Sequence, residues 1–346
     1  MTIATSGFSE PAVSATPPAN AVTATIACTT SSTTLDVVCM RSVSSPRTLA
    51  ARHPLCWTRR MTALLPPVPE SVSEELVELG EDVILRVLRG GSGTPIVMLP
   101  GWTCTADFFV HQLADFPDRG FEVIAVDPRG HGGSSKPLTG NTFAQRGLDL
   151  DALLNALDLD RVVLFGWSFG VLDVLSYLQQ FGTGRVSKLV LVDETPKVPA
   201  MPGTEEWGEA ELSHDGIVAF LRAMIDDRVG FWTAYAAYMI GRDEGAPLDD
   251  PDIARIVELG LQTPEHIAVA TGADGLTSDY AEVASDASEQ VPTLFIARDD
   301  WAEAAAHWVT VNMPDAEFAT MPVHLGFATD PVSFDRTVAE FLERDE

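Results

Sequence analysis

The stretch Val162-Val163-Leu164-Phe165-Gly166-Trp167-Ser168-Phe169-Gly170 constrains this chain more than any other. An apolar β-type run ends in Gly-x-Ser-x-Gly, and apolar residues at helical spacing follow at once (Val171, Leu172, Val174, Leu175, Tyr177, Leu178). A strand that turns this sharply into a helix leaves no room for a side chain two residues before or after the serine, and glycine fills both positions. The serine oxygen then stands exposed above a sheet. The backbone N–H of Phe169 points to where an oxyanion would form.

The rest of the chain reads as strands alternating with helices. Val83–Leu88 opens the series; Pro95–Gly101 is a continuous apolar run, the pattern of a strand buried on both faces, and Phe121–Asp127 is the next buried strand. A helix is expected over 107–116 and another over 142–157, then strands over 161–165, 188–193 and 292–297. A short strand near Glu317–Met321 and a last helix from Pro331 to Leu342 close the chain. Such alternation predicts an α/β fold with a doubly wound, mostly parallel sheet and right-handed crossovers. The region 197–290 differs. It has helical stretches (217–225, 231–240, 252–261) and no buried strand, and predicts an inserted helical cap over the carboxyl edge of the sheet, where open α/β sheets bind ligands. Its aromatic residues (Trp207, Phe220, Phe231, Trp232, Tyr235, Tyr238) and methionines (Met201, Met224, Met239) pack the cap or line an apolar pocket. The expected organisation is an extension over 1–65, a first core part over 66–196, the cap over 197–290 and a second core part over 291–346.

Charge marks the first of these boundaries. The first sixty residues hold Arg41, Arg47, Arg52, Arg59 and Arg60 against Glu10 and Asp36, a balance of +3, so the total of −28 leaves −31 on the remainder. That leader is rich in Ser, Thr, Ala and Pro and reads as a disordered, dispensable extension; its composition also fits an organelle transit peptide, but it lacks the pattern of a secretory signal. A pI near 4.4 argues against nucleic acid or an anionic membrane as partner. No apolar run reaches the ~18 residues that span a membrane. The four cysteines (28, 39, 56, 104) show no metal-ligand spacing, so no metal or disulfide framework is expected. The expectation is a cytoplasmic protein with a small-molecule partner; oligomeric state is silent in the sequence.

In order along the chain stand Leu99-Pro100-Gly101-Trp102, Asp127-Pro-Arg-Gly-His-Gly-Gly-Ser134, the turn Gly166–Gly170, Leu189–Asp193 with Pro196, Val291-Pro-Thr-Leu-Phe-Ile296, and His324 in Pro322-Val-His-Leu-Gly326. With these landmarks the chain resembles the α/β-hydrolase superfamily over about residues 80–346, and more loosely its capped esterase and cofactor-free haloperoxidase branch. The resemblance implies the α/β-hydrolase fold, a Ser-His-acid triad and no cofactor. Ser168 is the candidate nucleophile, needing a base because a serine hydroxyl is a poor nucleophile at neutral pH. His324 is the candidate base.

The acid is open between two places. Many members carry it after the strand that here ends at Ala297, with glycine following the strand and Asp three residues on. Here those positions are Arg298 and Trp301, with Asp299 and Asp300 between them. Other branches carry it after the preceding strand, which matches Asp193, with Glu194 beside it. Asp193 is the expected acid and Asp300 the alternative. Backbone N–H groups of Phe169 and Trp102 are the expected oxyanion donors, although the His-Gly of many relatives is Pro100-Gly101 here, which removes a histidine that would steady the loop. Trp102 and Trp167 are the expected walls of a substrate pocket suited to apolar or aromatic groups.

The leading expectation is a serine hydrolase that cleaves an ester, lactone or related acyl substrate through an acyl-enzyme on Ser168. One alternative is a cofactor-free dioxygenase of a heterocyclic ring using His324 and Asp193, motivated by Leu99-Pro-Gly-Trp102 and the missing late Asp. Another is a haloperoxidase-like perhydrolase. A ligand receptor on the same fold is disfavoured by the retained Ser168 and His324.

Overall fold

The computed structural model describes residues 63–80, 83–198, 214–243 and 245–344. They form an eight-stranded sheet in the order β1-β2-β4-β3-β5-β6-β7-β8. The strands are β1 (Ser73–Gly80), β2 (Val83–Gly91), β3 (Thr94–Leu99), β4 (Phe121–Val126), β5 (Val162–Trp167), β6 (Val186–Val192), β7 (Thr293–Arg298) and β8 (Glu317–Met321). β1 pairs antiparallel with β2, and β2 with β4. Every later pairing, from β4·β3 through β7·β8, is parallel.

The apolar runs lie where their pattern demands. Ile96, Val97 and Met98 of β3 and Val162 to Trp167 of β5 are buried, since helices cover both faces of the parallel strands. These helices are α1 (Val110–Asp115), α2 (Phe143–Ala156), α3 (Phe169–Phe181), α9 (Ala302–Asn312), α10 (Gly326–Thr329) and α11 (Pro331–Leu342). Local signals fix their starts. The Thr142 side chain accepts from Gln145 N at the head of α2, and Asp330 caps α11 with Pro331 in its first turn.

Between β6 and β7 lies the inserted helical cap, with α4 (His214–Asp226), α5 (Arg228–Met239), α6 (Pro251–Gly260), α7 (Glu265–Gly275) and α8 (Ala281–Ser288). Trp207 and Met201 fall outside the described residues.

Three details depart from expectation. The sheet begins one strand earlier: β1 is a charged edge strand, with Glu74 and Glu78 exposed and Val77 turned inward. Helices α7 and α8 extend the cap beyond the three helical stretches anticipated. Residues 63–65, assigned above to the extension, belong to the folded body. Leu65 is buried, Leu64 N donates to Asp252 Oδ1 at 2.9 Å, and Leu64 O meets His111 Nε2 at 2.8 Å. The rest of that extension, 1–62, lies outside the described residues.

Candidate active site

Ser168 sits between β5 and α3 with φ 52° and ψ −133°, a left-handed conformation that costs a non-glycine residue about 1–3 kcal/mol. The turn is held by its neighbours: Ser168 N donates to Val192 O at 2.8 Å, and Ser168 O accepts from Val171 N at 2.8 Å. A Cβ at Gly166 would lie 2.5 Å from Gly170 O, and one at Gly170 would lie 2.0 Å from Leu99 O. The glycine spacing is therefore a steric requirement of the crossing between strand and helix. Gly101 faces the serine, where a Cβ would approach Ser168 Oγ to 3.2 Å.

His324 follows β8 on a short loop tied from two sides. Trp167 Nε1 donates to His324 O at 2.9 Å, and Leu325 N donates to Met239 O at 2.8 Å, joining the loop to α5. The imidazole Nδ1 lies 2.6 Å from Asp193 Oδ2. Asp193 is fully buried just beyond β6, also at positive φ (53°), and its N–H donates to Ile296 O at 2.7 Å. Its Oδ1 accepts from Arg298 N at 2.9 Å, and its Oδ2 accepts from Arg298 Nη1 at 3.4 Å. Asp300 is elsewhere: its side chain is 67% exposed, and Oδ1 pairs with Arg298 Nε at 2.9 Å without hydrogen-bond alignment. Of the two acids left open, the fold brings Asp193 to His324.

Phe169 is the first residue of α3, so its N–H has no intrahelical acceptor. Trp102 follows β3, and among the described residues its N–H meets no protein acceptor. The loop that carries it is steadied by a residue whose part in it was not anticipated. Thr103, at φ 56°, donates its N–H to His131 Nε2 at 3.0 Å. An Nε2 that accepts leaves the proton on Nδ1, which donates to Arg129 O at 3.0 Å. Burial, with the Arg146 and Lys136 charges, holds the His131 pKa well below its usual value, so the ring stays neutral as this bond requires. His131 thus supplies from the turn after β4 the support that Pro100-Gly101 removed. Trp102 itself is anchored on the cap, its Nε1 donating to Ala268 O at 2.9 Å.

Ser168, Asp193 and His324 line one pocket. Its walls are Trp102, Phe169 and Leu276 together with Phe220 from α4 and Tyr235 and Tyr238 from α5; Glu194, Arg298 and Trp301 complete the lining. Trp102 therefore lines the pocket. Trp167 does not. Its side chain is fully buried beneath the site, packed on Phe108 and Phe327, and it serves the His324 loop instead. Among the described residues no group of three His, Cys, Asp or Glu side chains is placed to hold a metal ion, and no helix is long and apolar enough to cross a membrane.

Residues 94–217 match a family model described as the alpha/beta hydrolase fold. A putative non-heme chloroperoxidase from Synechocystis sp. is 34% identical over 145 residues, 42% of this chain and 51% of that protein. The match spans about half the length of the first curated relatives. Among solved structures, a bromoperoxidase from Bacillus anthracis superposes with a TM-score of 0.71 at 22% identity, covering 79% of this chain and all of that one. An esterase (EaEST) from Exiguobacterium antarcticum gives 0.69 at 22% identity, with the same coverage. At that identity the two structural likenesses establish the fold.

Proposed function

We propose that this chain, a member of the α/β-hydrolase superfamily related to its esterase and haloperoxidase-like branch, transfers small acyl groups through an acyl-enzyme on Ser168. The observation that carries this is the opening of Ser168 and His324 onto one pocket, with Asp193 bonded to the far ring nitrogen of His324 at 2.6 Å. Ser168 Oγ attacks the carbonyl carbon while His324 Nε2 takes its proton. Asp193 holds the ring in that tautomer and stabilises the imidazolium. The N–H groups of Trp102 and Phe169 receive the developing oxyanion, each donor worth roughly 10²–10³ in rate. His324 then returns the proton to the leaving group and activates the second nucleophile. Aromatic walls favour an uncharged apolar or aromatic substrate.

The names of the curated relatives favour hydrogen peroxide, beside water, as that second nucleophile. Peroxide oxygen would attack the acyl-enzyme carbonyl, His324 would take the peroxide proton and pass it to Ser168 Oγ, and a peracid would leave. The cofactor-free dioxygenase alternative is consistent with Asp193 on the earlier strand but needs no nucleophilic serine.

One experiment separates the three. Wild type and Ser168→Ala are treated with a fluorophosphonate probe, then assayed on p-nitrophenyl acetate with and without hydrogen peroxide and bromide. Labelling, ester turnover and peroxide-dependent bromide oxidation, all lost in Ser168→Ala, are expected. Ester turnover with no bromide oxidation would leave a plain esterase. Absence of labelling and turnover, with oxygen uptake on a hydroxyquinolone that survives Ser168→Ala and fails in His324→Ala, would overturn the acyl-enzyme.

A further inference from the structure

Position 298 carries arginine where glycine would be expected, and the structure gives that side chain an uncommon set of contacts. Arg298 ends β7 and is 5% exposed. Its backbone N–H and its Nη1 hold the two oxygens of Asp193, at 2.9 and 3.4 Å, and the oxygen that receives Nη1 is the one facing His324. Its Cζ lies 3.2 Å from the ring centre of Trp301 and 5.2 Å from that of Tyr238. Nε sits 2.9 Å from the exposed carboxylate of Asp300. The guanidinium is thus in contact with two rings and paired with two acids.

An acid clamped by a backbone donor and a stacked guanidinium loses rotational freedom, so the same oxygen is presented to His324. Asp193 and Asp300 both pair with the guanidinium, so its charge is engaged by carboxylates of this chain and Arg298 is not an anion receptor here.

We propose that Arg298 is a positioning residue that holds Asp193, rather than Asp300, as the partner of His324. The proposal rests on the reading of His324 as the base acting on Ser168.

The test uses the full chain, with Arg298→Met, Arg298→Lys and both again in an Asp193→Asn background. The kcat and KM on p-nitrophenyl acetate are measured, together with the deshielded Nδ1 proton resonance of His324. Arg298→Met is expected to lower kcat by about tenfold with KM little changed, and to lose the Nδ1 resonance. Arg298→Lys, which keeps a donor toward Asp193, is expected to recover part of both. In the Asp193→Asn background Arg298→Met is expected to lower kcat no further. An unchanged kcat and Nδ1 resonance in Arg298→Met, or the same loss of kcat in the Asp193→Asn background, would overturn the proposal. A wild type that fails to label at Ser168 while Arg298→Met still loses the Nδ1 resonance would sink the acyl-enzyme reading and leave the positioning role standing.

Discussion

Trp167 Nε1 donates to the carbonyl oxygen of His324 at 2.9 Å, so the residue just before the candidate nucleophile holds the loop of the candidate base. The two rings also lie in contact, with centres 5.2 Å apart. Trp167→Phe keeps a ring among Phe108 and Phe327 but leaves the buried carbonyl without its donor. That omission costs about 1–3 kcal/mol of stability. If half of it appears as disorder of the His324 loop, kcat falls about two- to tenfold, since about 1.4 kcal/mol is a factor of ten. Denaturant unfolding and ester turnover on the same preparation check both, and an unchanged kcat would separate this bond from the chemistry.

Asp193 and Asp300 offer the sharpest contrast among the acids. Asp193 is fully buried on His324, whereas Asp300 is mostly exposed and paired with Arg298. Asp193→Asn retains the shape and loses the charge that stabilises the imidazolium, so kcat is expected to fall by about 10⁴. Asp300→Asn removes one exposed ion pair and is expected to stay within about fivefold. Steady-state kinetics of the two variants decide it, and the reverse ranking would move the acid to β7.

The cap presses directly on an oxyanion residue. A Cβ at Gly275, the last residue of α7, would lie 2.5 Å from Phe169 Cε2 and 2.9 Å from Phe143 Cε2. Gly275→Ala is expected to cost about 1–3 kcal/mol by overpacking, and to lower kcat because Phe169 heads α3. Phe169→Leu in the same chain makes room and should recover part of both losses. Thermal unfolding and ester kinetics of the double variant measure the coupling.

What was legible in the sequence was local or ordered along the chain. The elbow is written in two glycines because the strand–helix crossing leaves no space for Cβ atoms, and His324 is written in its place between the last strand and the last helix. What escaped was set by contacts across the fold. The pairing of Asp193 with His324 joins residues 131 apart along the chain. The direction of the Trp167 ring, down into Phe108 and Phe327, does not follow from its place beside Ser168. β1 is a charged edge strand without a clean apolar alternation, and α7 (Glu-His-Ile-Ala-Val-Ala-Thr-Gly-Ala-Asp-Gly) has too weak an apolar stripe to announce a helix.

His131 gives the pH prediction. Burial above all, then the Arg146 charge, depresses its folded pKa well below the unfolded value near 6.5. Above about pH 6.5 both states are neutral at this site and its contribution is complete. As pH falls below that, the unfolded chain takes up a proton that the native chain refuses, so stability falls at up to about 1.4 kcal/mol per pH unit until the folded pKa is reached. Asp173 and Asp335, pushed up to about 7 by burial, act with the opposite sign between about pH 4 and 7, because there the native state holds the extra protons. The wild-type slope therefore mixes these groups, and the difference between wild type and His131→Gln isolates the histidine. Glutamine presents an oxygen toward Thr103 N–H but does not titrate. Urea unfolding at pH 5 and pH 7.5 should show the variant losing less stability on acidification than the wild type. His131→Ala, which leaves Thr103 N–H without an acceptor beside Trp102, should in addition lower ester turnover at pH 7.5, and equal turnover in Ala and Gln variants would detach His131 from the oxyanion loop.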